Sequence, residues 1–167
     1  ISVTGVQTCA LPIWIVIGTD AFDAVGFDVP DAEFIKQTEI DRAPALAQLG
    51  PDLLTADFVV DVAVDRLRAR GDMDIADALL DQQAIAGIGN IWKSESLFAA
   101  RINPFDKVRD LSSQQLHVIV EKARALMLAD RAAPFRVYGR AGKPCARCRT
   151  PISRQKQGPN RSEEHTS

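Results

Sequence analysis

Residues 86–93 read AGIGNIWK, a combination of residue types that could hold an anion. Gly87 and Gly89 permit positive φ angles and let the backbone approach a ligand closely. A helix beginning here would present the N–H groups of Gly89, Asn90 and the residue after them, an arrangement that binds phosphate. The Asn90 amide adds a neutral donor, and Lys93 adds a positive charge one turn later. A plain helical hairpin, in which the glycines only relieve a tight turn, is the alternative.

A second chemically capable group is the pair Cys145 and Cys148. A lone CxxC is compatible with half of a zinc site, with a redox pair or with two unrelated thiols. The redox interpretation needs a helix N-terminus in a βαβ setting, and the surrounding Pro- and Gly-rich sequence does not provide one. A structural zinc ion needs four ligands, and no second CxxC follows. We therefore expect this chain to bind zinc weakly or not at all.

The elements that would position these residues are mainly helices. The residues from 14 to 28 begin with a β-branched run and predict one or two strands, and the polar stretch 30–48 predicts a connector. Thr55 and Asp74 are expected helix N-caps, and a serine is the expected N-cap of the last helix. The tail 133–160 lacks a helical period, so its ordering would need a metal or a partner. Apolar residues recur at helical spacing in four segments, 55–70, 74–82, 91–102 and 111–130.

Composition and charge restrict the class of protein further. The chain has 167 residues, of which 46% are hydrophobic and 25% charged, a profile typical of a soluble globular protein. No apolar run approaches the roughly 20 residues of a membrane-spanning helix, which excludes an integral membrane protein. The net charge of −2 hides an asymmetry: residues 14–81 contain 15 acidic and 5 basic side chains, whereas residues 82–160 contain 5 and 14. The basic half predicts a polyanionic partner, unless the two halves simply neutralise each other.

Residues 79–102, LLDQQAIAGIGNIWKSESLFAARI, resemble the helix–two-turn–helix of the formamidopyrimidine-DNA glycosylase / endonuclease VIII family. The family signature reads roughly LLDQ followed by aGIGNiYkSE, so only Trp92 in place of tyrosine is unusual. The stretch 49–54 (LGPDLL) and the Asn-Pro pair at 103–104 match the same family. The resemblance is to its actinobacterial endonuclease VIII-like branch and spans about residues 14–160.

This resemblance implies a bifunctional enzyme of base-excision repair, a DNA glycosylase and AP lyase acting on damaged double-stranded DNA. In the family an N-terminal proline amine attacks the sugar of a nucleotide rotated out of the duplex, and a Schiff base leads to β,δ-elimination. We expect no catalytic residue in this chain, because the Pro-Glu pair and the lysine of the family belong to its N-terminal domain. The expected protein is a monomer of the bacterial cytoplasm, associated with the nucleoid and not with a membrane.

The resemblance also assigns roles to residues. Gly89 and Asn90 match the phosphate-contacting hairpin of the family, and Lys93 matches the lysine that follows. The Cys145 and Cys148 pair resembles half of the four-cysteine zinc finger, so zinc is the structural cofactor expected of the intact protein. Contacts to phosphates would supply affinity and not sequence readout. The basic residues expected to face the DNA backbone are Arg136, Arg140, Lys143, Arg147 and Arg149.

Three smaller signals predict structural roles. Glu95 and Glu121 are expected to be surface or capping carboxylates, with support of the glycine hairpin as an alternative for Glu95. His117 is expected to be a surface or core histidine, because no metal ligand stands at a suitable spacing.

The competing functional hypotheses are a non-catalytic helix–two-turn–helix nucleic-acid-binding module, as in some ribosomal proteins, and a redox CxxC protein. The cysteine pair and the LGPDLL stretch favour the glycosylase, and the acidic first half argues against a ribosomal protein.

The two ends need separate treatment. Residues 7–13 and 161–167 can be translated from opposite strands of one oligonucleotide, which resembles a sequencing-library adapter. We therefore expect both ends to be non-native and the chain to be a C-terminal fragment, so Cys9 and His165 are not expected to be ligands.

The predicted fold is mainly α, a helix–two-turn–helix DNA-binding domain with a short N-terminal β remnant and a truncated C-terminal zinc-ribbon hairpin. The expected parts are adapter-derived 1–13, a remnant of the catalytic β domain with its linker 14–48, the helix–two-turn–helix domain 49–132, a partial zinc finger 133–160 and adapter-derived 161–167.

Overall fold

The structure, a computed structural model, describes residues 2–7, 12–27, 35–129, 134–157 and 161–165. The chain divides into two compact units, residues 1–43 and residues 44–167. Across these described ranges, no helix combines the length and the apolar character needed to cross a membrane.

The first unit is an antiparallel three-stranded sheet in the order β1-β2-β3. One strand overlaps the start of residues 14–28 and another lies inside this segment, which confirms the prediction of one or two strands there. Thr19 closes the turn between them, because its hydroxyl accepts the N–H of Phe22 at 3.1 Å and donates to the Phe22 carbonyl at 2.7 Å. A short 3-10 helix, Gln37–Arg42, follows in the predicted connector. The strands are β1 (Ser2–Gln7), β2 (Pro12–Gly18) and β3 (Asp23–Phe27).

The second unit is helical, and each of the four segments predicted as helices contains one. Its helices are α1 (Pro44–Ala47), α2 (Val60–Arg68), α3 (Ile75–Leu80), α4 (Asn90–Ala100) and α5 (Ser113–Leu128), with a 3-10 turn at Val108–Asp110. Helix α5 packs against both α2 and α4, and α3 packs against α4. Their inward faces form one apolar core, whose fully buried members include Leu53, Leu67, Ile75, Leu79, Leu116 and Ile119.

Of the three predicted helix caps, one is wrong, one is at the predicted position without a capping bond, and one is confirmed in full. Thr55 is not an N-cap, because α2 begins at Val60 and the Thr55 hydroxyl donates to the Asp52 carbonyl at 3.0 Å. Asp74 is the N-cap residue of α3, as predicted, but its carboxylate makes no capping hydrogen bond and instead pairs with Lys107 at 2.7 Å. The serine cap is confirmed for α5, where Ser112 and the residue three positions on form a reciprocal capping box.

The residues after α5 form what we call the knuckle segment, residues 134–157. Its backbone pairs with itself, since the Gly142 N–H donates to the Ile152 carbonyl at 2.8 Å and Pro144 lies opposite Pro151. Strand β4 (Ser153–Gln157) then pairs antiparallel with β5 (Arg161–His165). The knuckle segment has its own small apolar cluster, formed by Val137, Cys145 and Ile152 with Phe98 of α4 packed against it. Helix α4 therefore contacts both the helical core and the knuckle segment.

Candidate nucleic-acid interface

The glycine turn, residues 81–89, connects α3 to α4 and is held by a side chain from its own start. Gln82 accepts the Gly87 N–H at 2.9 Å through Oε1 and donates to the Ile88 carbonyl at 3.0 Å through Nε2. Gly87 has a φ of +95°, a backbone conformation that side-chain-bearing residues rarely adopt. Gln82, the last residue of the LLDQ string, thus fixes the shape of the turn, a role that the sequence pattern does not reveal.

The LGPDLL stretch holds the other side of the glycine turn. The Ala86 N–H donates to the Pro51 carbonyl at 3.1 Å, and the Gly50 N–H donates to the Gln82 carbonyl at 2.8 Å. A Cβ on Gly50 would lie 2.5 Å from the Ala84 carbonyl oxygen, so only glycine allows the two backbone segments to approach this closely. The contact explains why a glycine so far from the turn is part of the motif.

An arginine from α5 ties the LGPDLL stretch to the core. The Arg124 guanidinium donates to the Leu53 carbonyl and, at 2.9 Å, to the Thr55 carbonyl. It also lies over the Phe58 ring, 5.0 Å from the centroid. The glycine turn is therefore fixed from three directions, by Gln82, by the LGPDLL backbone and, through that backbone, by α5.

The turn ends at an exposed helix N-terminus. Gly89 is the N-cap of α4 with φ −104° and ψ 179°, which is ordinary extended backbone, so the positive φ that both glycines permit is adopted by Gly87 and not by Gly89. A Cβ on Gly89 would meet nothing within 4 Å in the free protein. Asn90 follows as the first residue of the helix and is half-buried. The first N–H groups of a helix lack helical acceptors and carry a partial positive charge, so this surface suits an anion.

Lys93 does not present its charge on this surface. Its side chain is fully buried, with 0% of its surface exposed, and its backbone N–H donates to the Gly89 carbonyl at 3.0 Å. The positive charge that the sequence suggested at this anion site is therefore enclosed, because α4 packs this position into the protein. The assignment of Lys93 as a DNA contact stays a prediction, and it would require the side chain to leave its buried position.

Glu95 is buried and not a surface carboxylate as the sequence suggested, with 5% of its surface exposed. Its Oε2 accepts the Arg136 N–H at 3.0 Å, and its Oε1 accepts the N–H groups of Val137 at 2.8 Å and Tyr138 at 2.9 Å. Hydrogen bonds to an ionised acceptor are shorter and stronger than neutral ones. Glu95 thus fastens the start of the knuckle segment to α4 and does not support the glycine turn.

Three basic residues of the knuckle segment line a cavity of about 330 Å³ together with two aromatic rings. Arg140 lies across it and donates to the Arg136 carbonyl at 2.9 Å and to the Pro144 carbonyl at 3.4 Å. Phe135 joins this group to α4 by edge contacts with Trp92, at 6.1 Å, and Tyr138, at 5.8 Å. The charged residues that the structure places together here are Arg136, Arg140 and Lys143.

Arg147 lies apart from that group. Its Nη1 donates to the Phe98 carbonyl at 2.6 Å, and its guanidinium carbon lies 4.0 Å from the centroid of the Phe98 ring. Arg147, which the sequence predicts as a DNA contact, is thus bound to the last turn of α4. Arg149 is exposed and has a φ of 65°, at the position where the chain leaves the CxxC turn.

The cysteines form a tight turn of their own. Cys145 is buried and Cys148 is exposed, and both are free thiols. The Cys145 sulfur accepts the Arg147 N–H at 3.3 Å, and its backbone N–H donates to the Thr150 carbonyl at 2.9 Å.

The turn supplies two possible zinc ligands and no more. Within the described ranges, no group of three or more His, Cys, Asp or Glu side chains could hold a metal ion. Cys9 lies outside those ranges, and the His165 side chain is not described although its backbone belongs to β5. The residues that the structure describes therefore do not by themselves fit a closed tetrahedral zinc site.

Comparison with known proteins agrees with the architecture. Residues 49–132 match the family profile of the formamidopyrimidine-DNA glycosylase H2TH domain. Over 98% of this chain, the structure superimposes on the MutM (Fpg) protein from Thermus thermophilus with a TM-score of 0.70 and 24% sequence identity, covering 70% of that protein. The Lactococcus lactis Fpg protein, in a complex with a THF-DNA and an inhibitor, superimposes with a TM-score of 0.72 and 20% sequence identity. The superposition covers 98% of this chain and 68% of that one. These likenesses define the fold as the H2TH domain of the Fpg type with short β hairpins.

The match of residues 49–132 to the family profile shows the family, and sequence relatives agree with it. The chain is 36% identical over 165 residues to a probable endonuclease 8 2 of Streptomyces coelicolor, covering 92% of this chain and 59% of the relative. It is 36% identical over 160 residues to the DNA-(apurinic or apyrimidinic site) lyase Nei2 of Mycolicibacterium smegmatis, covering 87% and 62%. The chain therefore belongs to the formamidopyrimidine-DNA glycosylase / endonuclease VIII family. It spans about three fifths of the length of these curated relatives.

Proposed function

We propose that this chain is the DNA-binding part of a base-excision repair DNA glycosylase and AP lyase of the endonuclease VIII type. The observation that carries the proposal is the exposed N-terminus of α4, where Gly89 leaves open space and the glycine turn is fixed from several sides. The family membership supports it, and so do the names of the relatives, which are those of an endonuclease and of an AP lyase. Several solved proteins of similar fold are described as complexes with damaged or abasic-site DNA.

In this proposal the duplex is held by its sugar-phosphate strand. The N–H groups at the start of α4 and the Asn90 amide would bind one phosphate, aided by the helix dipole. Arg136, whose backbone N–H is bound by Glu95 of α4, would neutralise further phosphates together with Arg140 and Lys143. Such contacts carry no sequence information, so the affinity should depend steeply on salt concentration.

The finer organisation is also part of the proposal. Residues 49–132 would be the helix–two-turn–helix domain, residues 133–160 part of a zinc-ribbon finger, and residues 14–48 a remnant of the catalytic β domain with its linker. The two thiols of the CxxC turn would supply half of the zinc ligands of the intact protein. The cleavage chemistry is assigned to other parts of that protein, so we expect this chain to bind DNA without cutting it.

The most direct test uses Gly89→Ala and Asn90→Asp. A methyl group on Gly89 meets nothing in the free protein, so this variant should keep its stability and lose affinity only if a DNA strand occupies that space. An aspartate at the first position of α4 is favourable for the helix but repels phosphate. We expect each change to weaken binding to a duplex carrying a tetrahydrofuran abasic analogue by about tenfold.

Fluorescence anisotropy at several salt concentrations measures the affinity, and thermal unfolding checks that the fold is unchanged. Equal affinity of both variants and the unmodified chain would contradict the proposed contact. Borohydride trapping on abasic-site DNA tests the second part of the proposal. We expect no covalent adduct, and a trapped adduct would show that this chain contains a reactive amine.

A further inference from the structure

Arg147 makes two contacts with the same residue of α4. Its guanidinium donates to the Phe98 carbonyl and lies over the Phe98 ring. The Phe98 carbonyl lies in the last turn of α4, where it also accepts the Arg101 N–H at 3.3 Å. A positive charge is favoured at this end of a helix by the helix dipole. Arginine combines the planar stacking with the directed hydrogen bond, whereas a lysine ammonium has no plane with which to stack.

These contacts fasten the CxxC turn to α4. The Arg147 N–H donates to the Cys145 sulfur at 3.3 Å, so the arginine joins the turn to the helix through both its backbone and its side chain. Glu95, less than one turn earlier on α4, holds residues 136–138. The stretch between these two attachment points contains Arg140 and Lys143.

We propose that Arg147 is a positioning residue and not a phosphate contact. By docking the CxxC turn on α4, it holds the basic residues between the two attachment points in the orientation that binds the DNA backbone. This inference rests on the proposed function, since it concerns how the same surface is arranged. It also replaces the direct role that the sequence suggested for Arg147.

Arg147→Lys separates the two roles. A lysine keeps the positive charge and remains a good phosphate ligand, so a direct contact would survive the substitution almost unchanged. A docking role would be lost, and ordering the loosened segment at the moment of binding would weaken the affinity for the abasic-analogue duplex by about tenfold. The slope of the logarithm of the binding constant against the logarithm of the salt concentration should equal that of the unmodified chain, because no phosphate contact is removed.

A matched control removes a charge without removing the docking contact. Arg149 is exposed and two residues from Arg147, and asparagine tolerates its positive φ. Arg149→Asn should leave the knuckle segment docked and lower the salt slope by at most about one phosphate equivalent. The two variants therefore change different quantities, affinity at constant slope in one and slope in the other.

A second measurement needs no DNA. Arg147→Lys should speed hydrogen exchange at the Val137 and Ile152 amides while leaving the amides of α5 unchanged. Trp92 contacts Phe135, so its fluorescence should also report undocking, in a Trp14→Phe background because the chain has two tryptophans.

The outcomes distinguish the inference from the function on which it rests. If the unmodified chain does not bind the duplex, the proposed function fails and this inference fails with it. If the unmodified chain binds and Arg147→Lys binds equally well, only the positioning role is overturned. Weaker binding by Arg147→Lys with unchanged exchange at Val137 and Ile152 would also overturn it, since the docking would then be intact.

Discussion

The helical core and the knuckle segment are held together by different forces. The core buries a continuous apolar cluster contributed by four helices and the stretch before them. The knuckle segment buries Val137, Cys145 and Ile152 and otherwise depends on polar attachments to α4. Because a small cluster cannot offset much conformational entropy, the knuckle segment should open without unfolding the core.

This difference suits the two tasks that the proposed function assigns to the regions. A phosphate site at a helix N-terminus needs N–H groups in fixed positions, and the core together with the braced glycine turn provides that. A basic segment that follows a DNA backbone gains from attachments that hold it in place yet can adjust. The predictions that follow measure how independent the two regions are.

The largest effect is expected from the core. Leu116 is fully buried, and Leu116→Ala should lower the free energy of unfolding of the helices by about 3 kcal/mol through lost burial and a cavity. Ile152 is equally buried but lies in the knuckle segment, so Ile152→Ala should leave the urea midpoint of the helical signal nearly unchanged. Far-UV circular dichroism measures both, and equal shifts would mean that the two regions unfold together.

Removal of the carboxylate of Glu95 should act only on the knuckle segment. In Glu95→Gln the amide oxygen can still accept two N–H groups, but the NH₂ group faces the Arg136 N–H. We expect the local opening free energy to fall by about 1–2 kcal/mol, since a charged hydrogen bond is replaced by a donor facing a donor. Hydrogen exchange at residues 136–138 measures this. Glu121→Gln, on the exposed face of α5, is the control and should change nothing there.

Much of the core could be predicted from the sequence because the signals are local. Helical spacing located four helices, Ser112 was recognisable as a cap, and the glycines located the turn. The attachment of the knuckle segment could not be predicted in this way. The partners of Glu95 lie 41 to 43 residues further along the chain, and no local pattern encodes that contact.

The surroundings of the predicted DNA-binding residues could not be predicted for the same reason. Lys93 stands in a motif associated with phosphate, yet the packing of α4 decides that it is buried. Arg147 belongs to a basic run, and charge alone cannot reveal that the Phe98 ring and carbonyl engage it. Residue type and spacing predicted which segments matter, and the tertiary contacts determined which side chains face outward.

A smaller, pH-dependent effect should come from a pair that joins α2 to α5. His117 directs Nε2 at the Asp61 carboxylate, 2.6 Å away, and Nδ1 at the Ser113 carbonyl, 2.7 Å away. Both partners are acceptors, so only the protonated ring satisfies both. The hydrogen bond to Asp61 and the Ser113 carbonyl raise the pKa of His117, aided by the nearby Glu121, despite slight opposing desolvation.

The sign of the pH dependence follows from that shift. A folded-state pKa above the unfolded value of about 6.5 adds stability that is fully present below pH 6.5 and is lost as the pH rises through the raised pKa. The melting temperature should therefore decline slightly above about pH 6.5. His117→Gln and Asp61→Asn should each flatten this decline, and an unchanged pH profile in both would show that the exposed pair contributes nothing.

The finest comparison uses one substitution in each region. Arg101, which ends α4, and Arg149, in the knuckle segment, are the non-glycine residues with positive φ in the described ranges, at 60° and 65°. Glycine relieves the left-handed strain but adds entropy to the unfolded chain, so each change to glycine should stabilise its surroundings by about 0.5 kcal/mol. Arg101→Gly should raise the free energy of unfolding of the helices, whereas Arg149→Gly should only slow exchange at neighbouring amides of the knuckle segment. If Arg149→Gly also raised the unfolding free energy of the helices, the knuckle segment would have to be part of the same cooperative unit. Relief of local strain changes the global unfolding free energy only where the strained segment opens together with the rest of the protein.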